Sequence, residues 1–238
     1  RKELERMREE VDRISRHDLK TPLGGIIGLP QLLMEDGNLN ESQIEYAKMI
    51  EESGRKMLTL INRSVDLFKI EQGTYEYTPE KIHVVRIVRQ VVADSEKIMR
   101  SKKITVECNL NCDEEASMYA HGEEMLTYTM LGNLLTNALE ASPRESKVSV
   151  SFAEEPSAKG RFDGNWIRIS ITNEGSIPDE VREHFFEKYV TQGKRNGTGI
   201  GTYSAKMNAE VQGGMIDVES DETRTTVMVW LEKYPHSA

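Results

Sequence analysis

The chain has 238 residues, 37% of them hydrophobic and 30% charged, with a net charge of −9 at pH 7. That length suits one large domain or two small ones with a modest core, and the acidic balance argues against a nucleic-acid or anionic-membrane surface. Its two cysteines, Cys108 and Cys112, have no second pair and no nearby histidines, which excludes a zinc site and leaves ordinary thiols of a reducing compartment.

No signal peptide is visible, and no apolar run approaches the roughly 20 residues of a spanning helix. The chain opens with Arg1 inside a helical pattern rather than with Met. It is therefore expected to be a cytoplasmic fragment of a longer protein, with any membrane attachment supplied by a part N-terminal to it.

In chain order, Leu4, Met7, Val11 and Ile14 step by three and four, the seam of a coiled coil. Leu19, Leu23, Ile26, Ile27 and Leu33 continue the apolar side, and His17 sits beside the seam, where its imidazole should reach solvent. Pro22 removes a backbone donor and is expected to kink this helix, with Pro30 a second such point. Residues 36–39 read as a turn. Asn40 and Gln43 have the spacing of a capping box opening a second helix, whose apolar side runs through Ile44, Ala47, Ile50, Met57, Ile61, Val65 and Phe68 and which stops near Gly73. A two-helix hairpin cannot cover both stripes alone, so pairing with a second copy as a four-helix bundle is expected.

After Gly73 the texture changes. Strands are expected at 75–77, 104–106, 117–119, 215–219 and 225–231. Two more run through Val148, Val150 and Phe152 and through Ile167, Ile169 and Ile171, joined by a long hairpin loop over 155–165. Helices are expected over 84–99, 122–141, 179–186 and 199–212. Strands and helices come in runs, so the second part reads as an α+β sandwich with a largely antiparallel or mixed sheet. The domain division expected is 1–72 and 73–238.

Three groups of residues carry chemistry. His17 is followed by Asp18, which can hydrogen-bond one ring N–H, fix the tautomer and raise the basicity of the other nitrogen. An imidazole of ordinary pKa, about 6.5, is mostly neutral at pH 7 and so can act as a nucleophile. Thr21 lies four residues after His17, on the same helical face. Asn133 and Asn137 are also four apart, presenting two amides whose oxygens suit Mg²⁺ without adding charge beside a triphosphate. Gly197-Thr198-Gly199-Ile200-Gly201 precedes a helix, and glycines with free N–H groups at a helix start favour phosphate.

Together these resemble the catalytic core of the two-component sensor histidine kinases along almost the whole chain. His17 to Leu23 looks like the H box, Asn133 to Ala138 the N box, Phe185 to Thr191 the F box and Gly197 to Gly201 the G2 box. The resemblance implies a dimeric histidine-phosphotransfer bundle followed by an α/β sandwich ATP-binding domain of the GHKL type. It implies ATP-dependent autophosphorylation of His17 with Asp18 assisting, then phosphotransfer to a response regulator receiver domain. It further implies that Thr21 positions the water that dephosphorylates the regulator, that Asn137 binds Mg²⁺ and that Asn133 contacts nucleotide. Lys188, Lys194 and Arg195 fall in the lid segment as expected ATP contacts, where the two residues at 194 and 195 either offset γ-phosphate charge or are solvated. The departure is the G1 box: Asn173-Glu174-Gly175 stands where the family has Asp-x-Gly-x-Gly, so the base loses a charge-assisted hydrogen bond and ATP is expected to bind more weakly. The alternative reading is a degenerate kinase that serves as a dimeric regulator-binding or phosphatase-only module.

Overall fold

The computed structural model describes residues 20–110, 118–158, 162–190 and 199–235. The expected coiled-coil seam at Leu4 to Ile14, and His17 and Asp18, lie outside the described residues. The chain divides into two compact units, Arg1–Lys69 and Ile70–Ala238.

In the first unit, helix α1 covers residues 20–35 and helix α2 spans Glu41–Glu71. The helix is continuous through Pro22 and Pro30. Gly37, at φ +70°, turns the chain, a conformation that costs an L side chain and not glycine. The capping box forms as the spacing predicts: Gln43 N donates to Asn40 Oδ1 and Asn40 N donates to Gln43 Oε1, both at 2.9 Å. Gly54 lets the two helices approach, since a Cβ there would lie 2.8 Å from Ile27 Cγ1. Gln31 Nε2 donates to Glu51 Oε1 at 2.8 Å, joining α1 to α2 beside that contact. Leu29, Leu32, Leu33, Tyr46, Met49, Ile50 and Leu60 stay exposed, so this single hairpin leaves much of its apolar surface in water.

The second unit holds a five-stranded sheet and a two-stranded sheet. Its elements are β1 (Glu80–His83), α3 (Val84–Asp94), α4 (Glu96–Lys102), β2 (Thr105–Asn109), β3 (Tyr119–Gly122) and α5 (Glu124–Ala141), followed by β4 (Lys147–Ala158), β5 (Phe162–Glu174), α6 (Asp179–Arg182), α7 (Gly201–Val211), β6 (Met215–Ser220) and β7 (Arg224–Glu232). The larger sheet has the order β2-β4-β5-β7-β6 and the smaller pairs β1 with β3. The larger sheet is mixed: β2 pairs parallel with β4, and the other pairs are antiparallel. Val148, Val150, Ile167, Ile169, Ile171, Val227, Val229 and Leu231 alternate along their strands and form one core with residues of α3, α5 and α7. On the opposite face Trp230 and Met228 are buried with Trp166 and Met215 beside them, and Trp230 Nε1 donates to Glu155 Oε2 at 2.8 Å.

Several boundaries differ from the sequence pattern, each for a local reason. Residues 75–77 are not a strand; Tyr75 OH donates to Glu123 Oε1 at 2.6 Å and pins this segment by its side chain. The expected helix over 84–99 divides at Ser95, whose hydroxyl donates back to Val91 O at 2.8 Å, the local competition that serine offers a helix. The loop expected over 155–165 is mostly ladder, because β4 and β5 pair out to Ala158 and Phe162 across a bulge between Glu155 and Ser157. The helix expected over 179–186 ends at Arg182.

Candidate nucleotide site

Helix α5 supplies one wall. Its strong apolar content buries Leu131, Leu134, Leu135, Ala138 and Leu139 against the sheet. The same rotation leaves Asn133 and Asn137 half-buried, one turn apart. The end of β5 supplies the floor. Asn173 is 5% exposed and pairs in register with Val148 on one side and Thr225 on the other. Its Nδ2 donates to Glu174 O at 2.8 Å. Gly175 follows at φ +116°, which favours glycine, and its N–H donates to Thr223 O at 2.8 Å. Thr225 Oγ1 donates to Gly175 O at 2.8 Å, so β7 clamps the turn after β5.

These elements line a cleft that opens to solvent, about 410 Å³ with its open mouth included. Leu134, Asn137, Ala138 and Ala141 line it from α5; Asn173, Gly175, Ser176 and Ile177 from the end of β5; Thr225 and Val227 from β7; Phe185 closes one side. Phe185 and Phe186 meet edge to face at 5.0 Å between ring centroids and both pack on the core. The cleft combines apolar walls with a few convergent amides and hydroxyls, the make-up of a small-molecule pocket.

Of the residues singled out in the sequence, Asn137, Asn173 and Gly175 therefore meet in one cleft. Asn133 lies a turn before Asn137 on the same helix and does not line it. Gly199, Ile200 and Gly201 sit at the start of α7, and Tyr189 N donates to Gly199 O at 2.9 Å, drawing together the two ends of the lid segment. Lys194, Arg195, Gly197 and Thr198 lie outside the described residues. Lys188 is engaged elsewhere: its Nζ lies 2.7 Å from Glu71 Oε1 and 4.9 Å from the Tyr203 ring centroid, and the hydrogen bond to Glu71 raises its pKa. His184 Nδ1 lies 2.8 Å from Glu187 Oε1, and that hydrogen bond raises the imidazole pKa. Thr21 is exposed on α1. Thr225 and Val227 carry no motif of their own; only the β5–β7 register brings them to the cleft, whereas Ser176 and Ile177 follow Gly175 directly in the chain.

Two family models match this chain. One, His Kinase A (phospho-acceptor) domain, covers residues 15–73, and the other, Histidine kinase-, DNA gyrase B-, and HSP90-like ATPase, covers residues 122–235.

The chain belongs to the sensor histidine kinases.

Among relatives of this sensor histidine kinase, the histidine protein kinase SaeS of Staphylococcus aureus is 29% identical over 229 residues, covering 91% of this chain and 61% of SaeS. The circadian input-output histidine kinase CikA of Synechococcus elongatus is 29% identical over 223 residues, covering 90% of this chain and 28% of CikA. The chain thus spans less than two thirds of the length of either. Full-length ShkA, crystallised in complex with AMPPNP, shares the fold with a TM-score of 0.70 at 21% identity, over 96% of this chain and 47% of that one. The histidine kinase AdeS of Acinetobacter baumannii shares it with a TM-score of 0.58 at 18% identity, over 92% and 98%.

Proposed function

We propose that this kinase core binds ATP in the α5–β5–β7 cleft and transfers its γ-phosphoryl group to His17. The phosphoryl group then passes to an aspartate of a response regulator receiver domain. The observation that supports this best is the convergence of Asn137, Asn173 and Gly175 on one apolar-walled cleft. Asn173 Oδ1 would accept from the adenine amino group, with Thr225 beside it. Gly199, Ile200 and Gly201, with Gly197 and Thr198 before them, would offer backbone N–H groups to the phosphates. Lys194 or Arg195 would offset charge on the γ-phosphate.

Mg²⁺ fits this site as a phosphate-held ion. Among the described residues no cluster of three His, Cys, Asp or Glu side chains could hold a metal, whereas the Asn137 amide faces the cleft. One neutral oxygen from Asn137, with triphosphate oxygens and water completing the shell, suits an ion that keeps much of its hydration. The bound ion would neutralise developing phosphate charge.

At the phospho-acceptor, Asp18 would hold one imidazole nitrogen protonated while the other attacks in line; ADP leaves as the N–P bond forms. Thr21, exposed on α1, would position the water that hydrolyses the regulator's aspartyl phosphate. The exposed leucines, isoleucine and methionine of α1 and α2 support homodimer formation, and regulator docking on the outer face of that bundle. Their exposure in a single chain is the second line of support. A chase tests the transfer: chain carrying labelled phosphate should hand it to its cognate receiver domain, and not to a receiver whose phospho-acceptor aspartate is alanine. Retention of the label with every receiver from the same genome would instead favour the reading of an isolated or degenerate module.

A further inference from the structure

The last turn of α5 lines the cleft through Ala138 and Ala141, yet a helix C-terminus leaves carbonyls without intrahelical donors. Here a single ammonium takes up three of them. Lys102, the last residue of α4, donates through Nζ to Leu139 O at 3.0 Å, Glu140 O at 2.7 Å and Ser142 O at 2.7 Å. Three donors on one ammonium meet three acceptors, which is its full capacity. The positive charge also sits where the helix dipole is negative.

The attachment is reciprocal. Glu145 N donates to Lys102 O at 3.0 Å, and Lys103 Nζ donates to Glu145 Oε1 at 2.8 Å. Both Lys103 and Glu145 hold positive φ, 56° and 64°, so the two turns are built against each other. The remaining carbonyl of the group, Ala141 O, is on the cleft side, 3.7 Å from where a Cβ at Gly175 would stand. The last turn of α5 therefore meets Lys102 on one side and the G1 turn on the other.

We propose that Lys102 is a positioning residue for nucleotide binding. It touches no substrate; it fixes the final turn of α5, and through Ala138 and Ala141 the width of the slot that takes the base. This rests on the cleft being the ATP site. Because the effect is on the base slot, it should act on adenosine and ATP alike, whereas a loss of long-range charge would weaken ATP alone.

The test is equilibrium binding of adenosine and of ATP to the full chain and to Lys102→Met, Lys102→Arg and Lys102→Gln, each checked for folding by circular dichroism. Lys102→Met should weaken both ligands by about the same factor, roughly 5- to 10-fold, as expected for lost charge-assisted hydrogen bonds. Lys102→Arg, which keeps the charge and several donors, should stay within about two-fold of wild type. If Lys102→Met does not fold, Lys102→Gln should show the parallel loss at smaller size. A folded neutral variant with wild-type affinity for adenosine, or a loss confined to ATP, overturns the proposal. Failure of the unmodified chain to bind either ligand would instead remove the ATP-site reading beneath it.

Discussion

Asn173 and Thr225 stand directly opposite each other in the β5–β7 ladder, and both side chains hold the turn at Glu174-Gly175 by its backbone. Asn173 Nδ2 is turned to Glu174 O, which leaves Oδ1 as the end of the amide offered to a base. In the proposed complex the site would keep the acceptor that adenine needs and lack the negative charge. Asn173→Asp should tighten ATP binding by about 5-fold, near 1 kcal/mol, and Asn173→Ala should weaken it by a similar factor. Calorimetric titration checks both, and equal affinities across the three proteins would remove Asn173 from base recognition.

Gly54 sits where α2 meets α1, with room for no side chain toward Ile27. A valine there must push the helices apart or force rotamers, an overpacking cost of about 1–3 kcal/mol. Gly54→Val should lower the melting temperature of the helical unit. Nucleotide affinity, which resides in the other unit, should not change. Alanine is the milder probe, because its better helix propensity offsets part of the clash by up to ~1 kcal/mol.

Lys188 is held by Glu71 and stacked over Tyr203, so its charge is already committed. Lys188→Met should change ATP affinity by less than about three-fold. A double-mutant cycle of Lys188→Met with Glu71→Gln should give a coupling of about 1 kcal/mol or less, since the pair is partly exposed. A ten-fold loss of ATP affinity in Lys188→Met would place this lysine on the phosphates instead.

His184 gains a partner in Glu187, which raises its pKa above the ordinary 6.5. A raised histidine pKa means that the pair's stabilising contribution is fully present below the unfolded pKa and is lost as pH rises through the folded value. The His184 ring resonances should therefore titrate with a midpoint above 6.5 by NMR. Glu187→Gln should bring the midpoint down. A midpoint unmoved by that substitution would mean the contact does not persist in solution.

The parts of this molecule that were legible in the sequence are those with a local rule. Asn40 and Gln43 cap α2 as their spacing predicts, and the alternating apolar residues of β4, β5 and β7 point to one core. Asn133 and Asn137 were visible because helix periodicity puts them on one face. Most of what was hidden depends on contacts distant in sequence. Thr225 and Val227 reach the cleft only through the register of β7 against β5, and Lys102 reaches the end of α5 only through the packing of α4. Ser95 broke an amphipathic pattern that runs on past it, because one hydroxyl bonding its own helix is invisible to hydrophobic periodicity. Lys188 was expected to contact ATP by its place in the lid segment; its partner Glu71 lies 117 positions earlier in the chain.

Nucleotide bound in the cleft is proposed to deliver its terminal phosphate to His17. The most direct measurement is incubation of the full chain with ATP labelled at the γ-phosphate and Mg²⁺, followed by acid and alkali treatment of the protein. Protein-bound label should be lost in acid, stable in alkali, absent from His17→Gln and strongly reduced in Asn137→Ala. Label that survives in His17→Gln, or no label in a chain shown to bind ATP, would contradict that transfer.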